Sequence, residues 1–249
     1  MPRAYNLRTV FGPDLNREWW DLDFSNIELR IWAYSCGNKE LINTFETGGK
    51  VHQIICEELW GTNYTEDQYH WTKNGNFSII YGARPRRVDA TYKKAGAYNR
   101  IVSRFPEVKT FSDSLIKQVY TNHQEQGLSY ITTLGGYRLV VPPNEPHKAC
   151  NFFVQGSAAW IMMLGYNECY RYCRDHNTDQ TKKPIHLVNQ VHDSLIFDLP
   201  SRKDRIRSKR HIKNLKGIME SQGPKYNIPI PVECKRTTTN WGELETVNV

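Results

Sequence analysis

Two hairpin signals flanking one long helical stretch constrain this chain more than any other feature. Strand-like runs Leu128–Leu134 and Tyr137–Val141 are joined by Gly135-Gly136, and a two-residue glycine link between such runs is a strong hairpin signal. A second pair, Pro184–Gln190 and Leu195–Leu199, meets at a tip of Val191-His192-Asp193-Ser194. Between the hairpins, residues 151–174 are apolar on nearly all sides, which predicts a buried helix. Antiparallel hairpins interleaved with helices predict an α+β fold, an antiparallel sheet with packed helices.

The remaining segments fit that frame. Arg17–Phe24 reads as a short strand ending on acidic residues, and Ser25–Glu28 opens a helix over Ile27–Tyr34. Val51, Ile54, Ile55 and Leu59 follow helical spacing behind Gly48-Gly49. Gln68–Gly82 predicts another helix, closed by Gly82 with Pro85 beyond. Pro106 opens a further helix, with Val108, Phe111, Leu115 and Val119 on one side and Gly127 at its end. Ile228–Glu233 reads as a last strand before a Trp241-Gly242 tail. With 249 residues and 12% aromatics the chain can build a substantial core, which excludes wholesale disorder. Its longest apolar run, near Ala158–Leu164, is far too short to cross a membrane. Met1–Phe11 lacks a signal-peptide core, so an intracellular, cytoplasmic location is expected.

Charge points toward an anionic partner. There are 33 Lys+Arg against 26 Asp+Glu, a net +7, and nucleic acid is the commonest such partner. The basic stretch 202–216 carries eight Lys/Arg and one Asp, and reads as a solvated helix face or a binding patch. The six cysteines form no CxxC pair, so free thiols in a reducing compartment are expected. Cys169, Cys173 and His176 share a helical face, but no fourth zinc ligand follows.

Two sets of residues carry chemistry. Asp23 ends the first strand and Asp193 sits at the second hairpin tip. Brought together on a sheet, two carboxylates suit Mg²⁺, although aspartates at strand ends and turns are also ordinary. Tyr69, Lys73, Phe77 and Tyr81 recur every four residues along the helix at 68–82. A lysine among aromatics fits a nucleotide, the ammonium on phosphate and the rings over sugar and base; a snorkelling lysine on an amphipathic helix is the other reading. Asn151 and Gln155 likewise share one face, where their amides reach base edges or form a polar stripe.

Five patches, in order, resemble a known family. Asp23-Phe-Ser-Asn-Ile-Glu-Leu-Arg30 is similar to motif A of family A DNA polymerases, the bacterial DNA polymerase I type. Lys73-Asn-Gly-Asn-Phe-Ser-Ile-Ile-Tyr-Gly82 resembles motif B, the nucleotide-binding O helix, and Gln190-Val-His-Asp-Ser194 resembles motif C. Asn151-Phe-Phe-Val-Gln-Gly156 and Asn240-Trp-Gly-Glu243 also match. The resemblance runs from about Leu7 to Leu244 and implies a discontinuous palm, residues 1–34 and 150–249, around mainly helical fingers at 35–149.

It also implies roles. Asp23 and Asp193, with the backbone carbonyl of Phe24, would hold two Mg²⁺ ions for nucleotidyl transfer to a primer 3′-hydroxyl. Lys73 and His52 would contact the triphosphate, and Phe77 would pack on the sugar, where Phe disfavours dideoxynucleotides. Tyr81 would guard the templating base, and Glu28 would crowd a ribose 2′-hydroxyl. Asn151, Gln155 and His192 would line the primer–template terminus. Primer–template DNA and dNTPs are the expected partners, with no membrane involvement.

The chain departs from the pattern at several points. Tyr69 and His70 stand where motif B begins with arginine, His147 replaces another arginine, and Ser194 replaces the glutamate of motif C. Asp21, two residues before Asp23 and so on the same side of a strand, is expected to replace that glutamate in part. Only 22 residues precede Asp23. The expectation is therefore a palm and fingers without thumb or exonuclease, the C-terminal part of a split or truncated viral or phage-type polymerase. A second chain would supply the thumb and, in some arrangements, an exonuclease. The alternative is a catalytically degenerate remnant that binds nucleic acid or a replication partner.

Overall fold

The computed structural model describes residues 7–179, 183–201 and 205–249. The chain divides into two compact units, one made of Met1–Ile27 with Ala159–Val249, the other of Glu28–Ala158.

The first unit is built on a five-stranded antiparallel sheet. Its central strand, β1 (Arg17–Phe24), is the predicted first strand, and Trp20, Leu22 and Phe24 are fully buried along it. Burying side chains of that size stabilises by about 2 kcal/mol each, which anchors the strand that carries Asp23. Asn26 adopts a positive φ of 53°, a conformation Asn tolerates, and turns β1 into α1 (Ile27–Cys36).

The second unit follows with helices α2 (Lys39–Glu46), α3 (Val51–Trp60) and α4 (Glu66–Ile80). Then come α5 (Pro85–Tyr92), α6 (Ala97–Arg104) and α7 (Pro106–Gln126). The first predicted hairpin is β2 (Tyr130–Thr132) paired with β3 (Arg138–Val140), shorter than the strand-like runs. α8 (Lys148–Asn177) begins in this unit and ends in the other.

The chain returns to the sheet with β4 (His186–Val191) and β5 (Ser194–Pro200), the second predicted hairpin. α9 (Arg205–Glu220) covers most of the basic stretch; residues 202–204 of that stretch lie outside the described residues. β6 (Val232–Thr237) and β7 (Glu245–Thr246) complete the sheet in the order β4-β5-β1-β6-β7. β1 pairs antiparallel with β5 on one side and β6 on the other.

Two sequence expectations shift. The helix expected to be buried on nearly all sides is buried in part, through residues such as Phe153, Val154, Ile161, Met162, Cys169 and Cys173, while Met163 and Tyr170 are about half exposed. The last strand starts at Val232, not at Ile228. Ile228 and Ile230 are buried, yet Pro229 and Pro231, which follow them in turn, have no N–H for the ladder. All six cysteines are free, and five of them are buried. No helix among the described residues is long and apolar enough to cross a membrane.

Candidate active site

The strand register brings the two motif aspartates together. Asp23 lies directly opposite Ser194 in the β1–β5 pair, and the Phe24 N–H donates to the carbonyl of Asp193 at 3.1 Å. Val191 pairs with Ser194, so His192 and Asp193 form a two-residue tip, with His192 at a positive φ of 53°. Asp21, Asp23, His192, Asp193 and Lys235 line one pocket of about 400 Å³, together with Arg8 and Trp241.

Its electrostatics are those of crowded anions. Burial, then the charge of Asp193, pushes the Asp23 carboxyl up to about 7 from 3.8, against a smaller opposing pull from Lys235. Burial also raises Asp193. Lys235 Nζ lies 3.8 Å from Asp23 Oδ2, too loose a contact to neutralise the pair. A hard cation would relieve this crowding, and carboxylate oxygens are the donors it takes. Among the described residues, no three His, Cys, Asp or Glu side chains converge tightly enough to hold an ion alone. Two carboxylates are a number that Mg²⁺ usually takes, with water or substrate oxygens for the rest. Phe24, whose carbonyl is the third expected donor, is the last residue of β1.

Asp21 is on the same side of β1 as Asp23, as the alternation requires, and faces Lys235 across the β1–β6 pair. It is 8% exposed and its Oδ1 is buried without a hydrogen-bond partner. Burial raises its carboxyl, partly offset by Ser194, Lys235, Trp241 and Arg8. Sequence reasoning picked out Asp21 but not Lys235, which lies two residues beyond the strand expected at Ile228–Glu233 and is carried by β6.

The second unit carries the aromatic stripe. Thr65 caps α4 in a reciprocal capping box with Gln68, which fixes where the helix starts and hence which residues face out. Thr72, Asn76, Ile79 and Ile80 are buried on the inner face. Tyr69, Phe77 and Tyr81 are half-buried, Lys73 is exposed, and Phe77 and Tyr81 rings are 5.9 Å apart. The Tyr81 hydroxyl donates to Glu28 Oε2, joining the end of this helix to the start of α1. His52 is 7% exposed, edge-on to Tyr69 and 5.9 Å from Phe77. Burial and the charge of Lys73 lower its imidazole to about 4 from 6.5, so the ring is neutral at physiological pH. Asn151 and Gln155 lie four apart on α8, Asn151 half-buried and Gln155 exposed. His70 is exposed, and His147 is half-buried.

The match of this chain to the model of DNA polymerase family A spans residues 2–243. The chain belongs to DNA polymerase family A. It is 27% identical to DNA polymerase I of Caldicellulosiruptor bescii over 96% of its own length and 28% of that protein's. It is 26% identical to the thermostable DNA polymerase I of Thermus aquaticus, over 94% of this chain and 29% of that one. The chain thus spans a little over a quarter of the curated relatives it matches. In fold, it is similar to the POL domain of Pol1 from M. smegmatis, solved in complex with DNA primer-template and dNTP. That likeness has a TM-score of 0.80 at 20% identity, over 96% of this chain and 43% of that one.

Proposed function

We propose that this family A chain is the catalytic part of a template-directed DNA polymerase, adding dNTPs to a primer 3′-hydroxyl and releasing pyrophosphate. The observation that carries the reading is the Asp23–Asp193 pair, held on adjoining strand ends with the Asp23 carboxyl raised to about 7. Asp23, Asp193 and the Phe24 carbonyl would hold Mg²⁺. When bound, the two ions supply Lewis-acid activation of the hydroxyl and neutralise charge on the departing pyrophosphate.

The other residues bind and orient. Lys73, exposed on its helix, offers an ammonium to the triphosphate, and neutral His52 offers a ring nitrogen. Phe77 packs against the deoxyribose, and Glu28, tied to Tyr81, crowds the 2′ position. Tyr81 guards the template-base position, while Asn151, Gln155 and His192 contact the primer–template terminus. Asp21 adds negative charge where motif C carries Ser194 instead of glutamate. In this reading a second chain supplies the thumb, as in a split viral or phage-type enzyme.

Template-directed incorporation of a labelled dNTP tests the activity, comparing the parent chain with Asp193→Ala. A parent signal lost in the variant supports it. Equal signals, or none from a chain supplied with a thumb-bearing partner, leave the degenerate nucleic-acid-binding remnant as the better reading. Long products from the chain alone at moderate salt would remove the need for a partner.

A further inference from the structure

Three buried polar side chains from three helices form a chain of hydrogen bonds behind the aromatic stripe. Tyr92, the last residue of α5, is fully buried, and its hydroxyl lies 2.5 Å from Asn76 Oδ1. Asn76 Nδ2 lies 2.7 Å from Nδ1 of His52, the second residue of α3. The far nitrogen, His52 Nε2, is buried with no hydrogen-bond partner.

The direction of each bond follows from the inventory of donors. A buried hydroxyl needs an acceptor for its hydrogen, and Asn76 Oδ1 is the one it has. With the amide turned over, the Tyr92 hydrogen would face an NH₂ and be stranded in a fully buried site. Asn76 therefore presents its NH₂ to His52, Nδ1 accepts, and the neutral ring carries its proton on Nε2. The neutral state itself is secured by burial and by Lys73, which together keep the imidazole well below its usual value.

Gly75 makes the arrangement possible. A Cβ there would lie 2.4 Å from Cζ of Tyr92, the carbon that bears the hydroxyl. The missing side chain on α4 is the slot through which Tyr92 reaches Asn76.

We propose that Tyr92 and Asn76 are positioning residues that lock His52 in the Nε2–H tautomer, presenting an uncharged donor beside Lys73 to an acceptor-only anion, the triphosphate of an incoming nucleotide. The identity of the anion rests on the polymerase reading above. Phosphate oxygens accept hydrogen bonds and never donate, so the opposite tautomer would set lone pair against lone pair. An oxygen reaches Nε2 by displacing a flanking half-buried ring, Tyr69 or Phe77.

Long-range ¹H–¹⁵N correlation spectra of the histidine-labelled chain at neutral pH test the relay directly. His52 should show a pyrrole-type Nε2 and a pyridine-type Nδ1, and in Tyr92→Phe the two should move toward an averaged pattern. Titration with dATP and Ca²⁺ should then give a dissociation constant about fivefold weaker in Tyr92→Phe, the worth of one ordinary hydrogen bond. That loss should vanish in a His52→Gln background, which a purely structural role for Tyr92 would not produce. The parent spectrum decides the tautomer even if the variant folds poorly. A parent ring protonated on Nδ1, or a Tyr92→Phe pattern identical to the parent's, overturns the relay and leaves the polymerase reading standing. dATP that leaves the His52 signals unmoved overturns the triphosphate as the acceptor, and the nucleotide-site reading of His52 with it.

Discussion

Replacing Asp23 by asparagine should stabilise the fold while removing activity. The Asp23 carboxyl is raised from 3.8 to about 7 by burial and by Asp193. A group whose folded value is raised contributes stability that is whole below its unfolded value and is lost as pH rises through the folded one. Asp23 therefore costs stability progressively between pH 4 and 8. Three units at about 1.4 kcal/mol each set a ceiling near 4 kcal/mol. The side chain is 34% exposed, however, so solvent screening reduces this to about 1–2 kcal/mol. For a chain of this size that is a rise in Tm of about 3–6 °C in Asp23→Asn at pH 8. The gain should fade toward pH 5, where the parent carboxyl is protonated and resembles the amide. His52 drives stability the opposite way over the same range, but it is common to both chains and cancels in the difference. Calorimetry at pH 5 and pH 8, with and without Mg²⁺, reads all of this. At Mg²⁺ a hundredfold above its dissociation constant the parent should gain about 2.7 kcal/mol, and Asp23→Asn little. An Asp23→Asn chain no more stable than the parent at pH 8 would refute the picture of two uncompensated carboxylates.

Other perturbations follow from the same geometry. His52, lowered to about 4, should withdraw up to about 3 kcal/mol of stability as pH falls from 6.5 through 4, and His52→Gln should flatten that limb of a urea-midpoint profile. Gly75→Ala puts a methyl within 2.4–2.5 Å of the Tyr92 ring, so it should cost about 1–3 kcal/mol beyond its helix-propensity gain, and Tyr92→Leu should restore much of the loss. A Gly75→Ala chain with raised Tm would show that the ring has room to move. Glu28→Ala should raise rNTP use relative to dNTP by about tenfold or more in single-nucleotide extension, and an unchanged ratio would take Glu28 out of sugar selection.

How much of this was legible in the sequence depended on how local each cause is. The strand at 17–24 and the hairpin tip at 191–194 were readable because alternation and turn chemistry are written in neighbouring residues. The short helices α2, α5 and α6, eight residues each, carry too few apolar positions to announce a period. The starts of α2 and α5 were marked all the same, by Asn38 accepting from the Leu41 N–H and by Pro85 at the first helical turn. The last strand was misplaced because apolar content at Ile228 and Ile230 outweighed the two prolines that forbid pairing there. Among the candidate residues, Asp23, Lys73 and Asp193 stand inside motifs whose residue types betray their chemistry. Asn76 and Gly75 stand inside one of those motifs too, yet their reasons lie elsewhere in the chain, in a tyrosine that a sequence scan reads as one more aromatic. A motif read along the chain therefore names the candidate groups of a site. The groups that set their protonation and tautomer arrive from other helices, and only the fold brings them into hydrogen-bond reach.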